Sequence, residues 1–202
     1  GYDRAKLRLP NAPHSALAYL GALMEIETVA QAMATPVLAA FVERLMHDGI
    51  VPYVKAPAGF NAGAYVEAIL ARFRNPAIQH RLLQIAWDGS QKLPVRLLGT
   101  IGDALASGHP IDLLCLPVAA WMQFVRRQAR NGVALVDPMA DVLAEVGRAT
   151  TGDATDDVAR FLALDAIFAP LSADDRFVDA VRDAYVRLGD GTPAAVWRAL
   201  SD

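Results

Sequence analysis

The sequence predicts an all-α fold, one multi-helical domain of about ten helices covering residues 1–202. Three observations carry that reading. Apolar residues recur three and four positions apart along most of the chain, the period of a helix with one buried face. Hydroxyl, amide or carboxylate residues stand directly before proline at several points, as at Thr35-Pro36 and Thr192-Pro193, which pairs a capping side chain with a residue suited to the first helical position. No segment alternates with period two. Val51-Pro52-Tyr53-Val54 is the best strand candidate, and Pro52 demotes it.

The elements follow in order. Leu7, Leu9, Leu17, Leu20, Leu23 and Met24 give the first apolar face, and Ile26, Val29, Ala30 and Met33 a short second helix. Thr35-Pro36 starts a helix carrying Val37, Phe41, Leu45 and Met46, with Gly49 as its expected stop. Asn61 is the expected cap of the stripe Tyr65, Ile69, Leu70 and Phe73. Asn75-Pro76 is read as the start of a helix through Ile78, Leu82 and Ile85. Asp88-Gly89-Ser90 interrupts it, and Lys92-Leu93-Pro94 is read as opening the next. His109-Pro110 precedes the most apolar helix, which should lie centrally. Asp137-Pro138, Asp153 to Asp157, Ser172 to Asp174 and Thr192-Pro193 read as later helix starts, with carboxylates suited to the positive helix end.

Composition narrows the function classes. With 54% hydrophobic and 20% charged residues a substantial core can form. A net charge of -3 provides no basic footprint for nucleic acid. The longest apolar run, Leu113 to Met122, is too short for a membrane span and contains Pro117. The single Cys115 sits in that run and reads as a small buried thiol, which fits a reducing, cytoplasmic setting. The chain starts Gly1-Tyr2-Asp3, inside an amphipathic pattern and without an initiator methionine, which reads as a piece of something longer.

Chemistry-bearing residues are few. Gly189-Asp190-Gly191 follows a helical pattern and lacks the third glycine of a dinucleotide fingerprint. The histidines are scattered, and one cysteine makes a zinc site a poor expectation. The densest polar stretch is Lys6 to Ser15. A lysine desolvated among leucines loses basicity and becomes usable as a base near neutral pH. Asn11 and His14, three apart, project from neighbouring points of a helical turn, and their N–H groups suit an alkoxide or a polarised carbonyl. Lys6 lies about 140° from Asn11 on an ideal helix, so convergence calls for a bend, with Pro10 its natural place. On composition alone a plainer account stands beside this one: a solvated Lys6, a capping Asn11 and a core His14. The second cluster, Asp88 to Lys92, is either a break that re-aims side chains at a ligand or a simple corner between helices.

The two stretches together resemble the C-terminal domain of the mannitol dehydrogenase family, the polyol-specific long-chain dehydrogenases. The resemblance rests on Lys6, Asn11, His14-Ser15 and Ala18-Tyr19-Leu20-Gly21, followed by Gln84-Ile85-Ala86-Trp87-Asp88-Gly89-Ser90-Gln91-Lys92-Leu93-Pro94. It extends over the chain, with less specific motifs toward the end. It implies that Lys6 is the general base of alcohol oxidation and the acid of carbonyl reduction. Asn11 would stabilise the developing oxyanion and His14 orient the reacting oxygen. Lys92 would contact substrate, with Gln84 and Asp88 alongside. The chemistry would need no metal, and NAD would be bound mainly by an N-terminal cofactor domain absent from these residues. Arginine stands at the position of Gln84 in some mannitol dehydrogenases. Gln84 and the Gly-Ser-Gln-Lys-Leu-Pro pattern therefore point to a keto-hexuronate substrate of the fructuronate or tagaturonate reductase kind. Mannitol or another hexitol is the alternative. A non-catalytic helical interaction module is the competing class, and the intact Lys6, Asn11 and His14 spacing argues against it.

Overall fold

A computed structural model describes residues 2–54 and 57–202, with side chains from residue 8 onward. Among these the chain forms thirteen α-helical segments and no strand beyond a single antiparallel bridge between Thr28 and Arg81. The all-α expectation holds. The count exceeds ten because α2 (Val29–Met33), α5 (Leu82–Ile85) and α11 (Asp165–Phe168) are single turns.

Helix α1 (Tyr2–Leu23) runs through Pro10 and Pro13 without interruption. The expected break at Pro10 is absent from the backbone, and packing explains why. Leu9, Leu17, Leu20 and Leu23 are fully buried together with Ala12, Ala16 and Tyr19. An interior proline costs about 3 kcal/mol, whereas each buried leucine contributes about 1.5–3 kcal/mol, so the buried face outweighs two prolines. The far end of the helix is tied down by Arg127, which donates to the carbonyls of Ala22 and Leu23 at 3.3 and 3.1 Å. A cation there satisfies orphan carbonyls and complements the negative end of the helix dipole.

Three other expected boundaries moved. After α3 (Pro36–Arg44) the chain continues through Gly49 in a π-helical turn, Leu45–Ile50, and a 3-10 turn, Val51–Tyr53. Leu45, Met46 and Ile50 are buried there, and that burial exceeds the roughly 1 kcal/mol that a helical glycine costs. Helix α4 (Ala62–Phe73) starts as expected, with Asn61 Oδ1 accepting from the Ala64 amide at 3.0 Å. Asn75-Pro76 makes a turn rather than a helix. The following segment is instead pinned to the start of α2, where the Val29 amide donates to the His80 carbonyl and the Leu82 amide to that of Glu27. Finally, α6 (Gly89–Leu93) continues through Pro94 as a π-helical turn, Pro94–Leu98, into α7 (Gly99–Ala106). The wider turn accommodates a ring with no N–H to donate.

Helix α8 (Asp112–Arg130) is the central post, buried along most of its length and packed by α1, α9 (Ala140–Ala149) and α12 (Asp175–Arg187). Cys115 is buried within it, and burial pushes its thiol pKa up. The remaining helices are capped largely as their sequences suggest. Asp153 accepts from the Asp156 amide ahead of α10 (Ala154–Leu162), Asp174 from Arg176 ahead of α12, and Thr192 from Ala195 ahead of α13 (Pro193–Ser201). Among the described residues no helix is long and apolar enough to cross a membrane.

Candidate active site

The continuous helix brings Asn11 and His14 to one face, where both line a cavity of about 380 Å³ with Tyr65, Arg72, Phe73 and His80. The His14 ring stacks on Phe73, centroids 4.5 Å apart and planes within 15°. Its other close ring is His80, edge-on at 5.9 Å. Phe73 is held in turn by the buried face of α4, formed by Val66, Ile69 and Leu70. The imidazole is thus fixed by packing, while no hydrogen bond to another described residue claims its nitrogens or the Asn11 amide.

Electrostatics settle the protonation state of His14. Burial, followed by the positive charge of Arg96 and smaller contributions from His80, Arg72 and Lys92, holds its pKa down to about 4. The ring is therefore neutral around pH 7, carrying one N–H donor and one acceptor. Amide and neutral imidazole together can hold an oxygen that gains negative charge, without a fixed cation there.

Lys6 belongs to the backbone of α1, and its side chain lies outside the described residues. The second motif forms a braced corner. Asp88 adopts the left-handed conformation, φ 59°, which a short polar residue tolerates better than most. Its amide donates to the Val136 carbonyl. The Ser90 amide and hydroxyl both donate to the Asp137 carboxylate. Gly89 lies so close to Trp121 and Tyr19 that an added Cβ would sit 2.4 Å from the indole nitrogen. Lys92 Nζ donates to the Ile85 carbonyl at 3.0 Å across this corner, and burial and then Arg96 lower its pKa. Lys92 and Asp88 do not line the cavity, although the charge of Lys92 reaches His14. Gln84 is exposed on α5, and its side chain makes no hydrogen bond among the described residues.

Sequence reasoning overlooked three neighbours. His80 lies 66 positions after His14, and only the docking of the 75–81 connection onto α2 brings the rings together. Arg72 is the residue before the stacked Phe73, a signal that became readable once that ring was placed. Arg96, in the π-helical turn, donates to Ser15 Oγ at 3.2 Å. It stands four residues after Lys92, so a helical reading of the second motif continued past Pro94 would have found it.

Fold and site define a class: an all-helical domain with an amide and a neutral imidazole on one wall of a cavity. The chain belongs to the mannitol dehydrogenase C-terminal domain family, whose model matches residues 1–189. It is 38% identical over 192 residues to the D-mannonate oxidoreductase of Escherichia coli (strain K12), an alignment covering 93% of this chain and 39% of that protein. It is 31% identical over 186 residues to a mannitol 2-dehydrogenase of Neosartorya fischeri, covering 91% of this chain and 36% of the relative. The Pseudomonas fluorescens mannitol 2-dehydrogenase, solved as a ternary complex with NAD and D-mannitol, superimposes with a TM-score of 0.85 at 28% identity. That match covers 98% of this chain and 40% of the solved one. The chain thus spans about two fifths of the length of these relatives.

Proposed function

We propose that this chain is the substrate-binding and catalytic domain of an NAD-dependent oxidoreductase that interconverts a sugar alcohol or hexonate with its keto form. It would act in the cytoplasm, joined to an N-terminal cofactor domain that binds most of the NAD. One observation carries the reading: Asn11 and a neutral His14 share one cavity wall with their polar groups unclaimed by other described residues.

In the oxidation direction the substrate hydroxyl lies against Asn11 and His14. Lys6, as a free amine, takes the hydroxyl proton. The Asn11 amide and the His14 N–H hold the oxygen as its charge grows, which lowers the barrier to loss of hydride from the same carbon. NAD supplies the hydride acceptor when bound. In the reverse direction the Lys6 ammonium returns the proton as the carbonyl oxygen becomes an alkoxide. The donors assigned to the oxygen are side chains, so no metal enters the proposal. Likeness to a D-mannonate oxidoreductase favours the hexonate and keto-hexuronate pair. Likeness to a solved complex with D-mannitol favours a hexitol as the second reading.

The test is a turnover assay of the chain joined to its cofactor domain, with fructuronate, tagaturonate, fructose and the corresponding alcohols. Reduction of a keto-hexuronate with NADH is expected, and preference for the uncharged ketose would move the assignment to the second reading. Lys6→Ala should lower kcat by about 10²–10⁴ and flatten the pH–rate profile, as removal of a general base does. An unchanged profile would reject the base. The 202 residues alone should show no turnover, and measurable activity from them would refute the two-domain account.

A further inference from the structure

We propose that Arg72, assisted by His80, is the carboxylate-recognising end of the substrate cavity and makes the domain selective for hexonates over neutral hexitols. The proposal rests on the functional reading above and adds the residues that set substrate class.

Among the described residues, the cavity shared by Asn11 and His14 contains two further groups able to meet an anion, Arg72 and His80, and no aspartate or glutamate lines it. Arg72 differs from the arginines around it. Arg74, two residues on, pairs with Glu43, and Arg81, next to His80, pairs with Glu27. No described carboxylate pairs with Arg72, and no described acceptor takes a hydrogen bond from its guanidinium. The other cations near His14 are already engaged: Lys92 donates to the Ile85 carbonyl and Arg96 to Ser15 Oγ. Neither lines the cavity. Among the described residues Arg72 is the cavity cation left with its donors free, and a guanidinium matches a carboxylate with two parallel N–H groups.

The backbone behind both residues is set before any ligand arrives. Arg72 sits in the last turn of α4, beside Phe73, whose ring stacks on His14. The His80 carbonyl accepts from the Val29 amide at 3.0 Å, and the Thr28–Arg81 bridge follows immediately. The cavity therefore carries donors for a reacting oxygen from α1 and, from α4 and the 75–81 connection, a free guanidinium and a second imidazole. An acyclic six-carbon acid, which has both a reacting carbon and a carboxylate, offers a group to each set of donors. Gln84, where a cation would otherwise have been sought, is exposed and outside the cavity.

The experiment measures kcat and KM for fructuronate and for fructose in the two-domain enzyme, comparing wild type with Arg72→Gln, Arg72→Lys and His80→Asn. Arg72→Gln should raise the KM for fructuronate about 10- to 100-fold, the loss expected for a charge-assisted hydrogen bond. The preference for fructuronate over fructose should fall by a similar factor, because fructose has no carboxylate to lose. Arg72→Lys should recover part of that preference, and His80→Asn should shift it in the same direction by less. Equal losses on both substrates, or no change on either, would overturn the assignment. If Arg72→Gln does not fold, the lysine and asparagine variants carry the test. Both must then raise the fructuronate KM more than the fructose KM. Failure of the functional reading is visible separately, in wild-type enzyme that reduces fructose in preference to fructuronate.

Discussion

Two polar clusters, one before α8 and one after it, satisfy their groups in opposite ways. After α8, the cluster around Asp157 is spent on the fold. The Asp157 carboxylate, fully buried, accepts from the Thr151 and Gly152 amides and the Tyr185 hydroxyl, with Arg126 3.9 Å away. Burial and that hydrogen bond push the Tyr185 pKa up. Before α8, Asn11, His14, Arg72 and His80 gather at one cavity with their side-chain polar groups left free by the other described residues. A fold with every polar group paired is stable and inert. A site needs groups whose partner is the ligand, and among the described residues this cavity gathers four with free side-chain polar groups.

The strongest way to break that comparison is at Asp157. Asp157→Ala would leave two amides and a hydroxyl without their acceptor and Arg126 without its nearby carboxylate. The expected loss in urea unfolding is about 3–5 kcal/mol, typical of removing one partner from a buried charged network. A loss below about 1 kcal/mol would show that the network is not what holds α10 to α12.

The next effect concerns the corner at Asp88 to Lys92, braced by the hydrogen bonds from Ser90 to Asp137 and from Asp88 to Val136. Gly89→Ala places a methyl 2.4 Å from Trp121 Nε1 and 2.8 Å from the Tyr19 hydroxyl. Trp121 is boxed in by Phe161 and Phe168 and cannot retreat. Overpacking of this kind costs about 1–3 kcal/mol. Gly102→Ala, in α7 with no atom within 4 Å of the new methyl, should instead stabilise by up to about 1 kcal/mol. Thermal unfolding of the two variants should move in opposite directions. Equal shifts would mean that Gly89 is kept for something other than the space it leaves.

These contrasts also explain what could be read from sequence. Asn61, Asp153, Asp174 and Thr192 announced their helices because a cap is a local event, decided within three residues. The stripes of α4 and α8 were readable for the same reason. The passage through Pro10, Gly49 and Pro94 was not, because local cost was overruled by burial that depends on distant helices. Asn11 and His14 were neighbours by spacing and were singled out by family resemblance, and the structure puts both on one cavity wall. Arg72 and His80 escaped because their only link to His14 is the docking of α4 and of the 75–81 connection against α1 and α2.

The smallest effect is the one most particular to the site. His14 has a folded pKa of about 4 against 6.5 for the free side chain. Between those values the unfolded chain binds a proton that the folded chain refuses, so stability must fall as pH drops from 6.5 toward 4. Above 6.5 both states are neutral at this position and the contribution is complete. The ring keeps part of its surface in water, so the slope should be modest. It is isolated by the difference between wild type and His14→Gln, since the acidic groups titrate in both. Wild type should lose ground to the variant across that window and run parallel to it above pH 7. A constant difference from pH 4 to 8 would mean that His14 is protonated as readily in the folded protein as in water. The imidazole would then meet the substrate oxygen as a fixed cation at low pH, and the neutral amide-and-imidazole pair would no longer describe how this cavity wall stabilises charge.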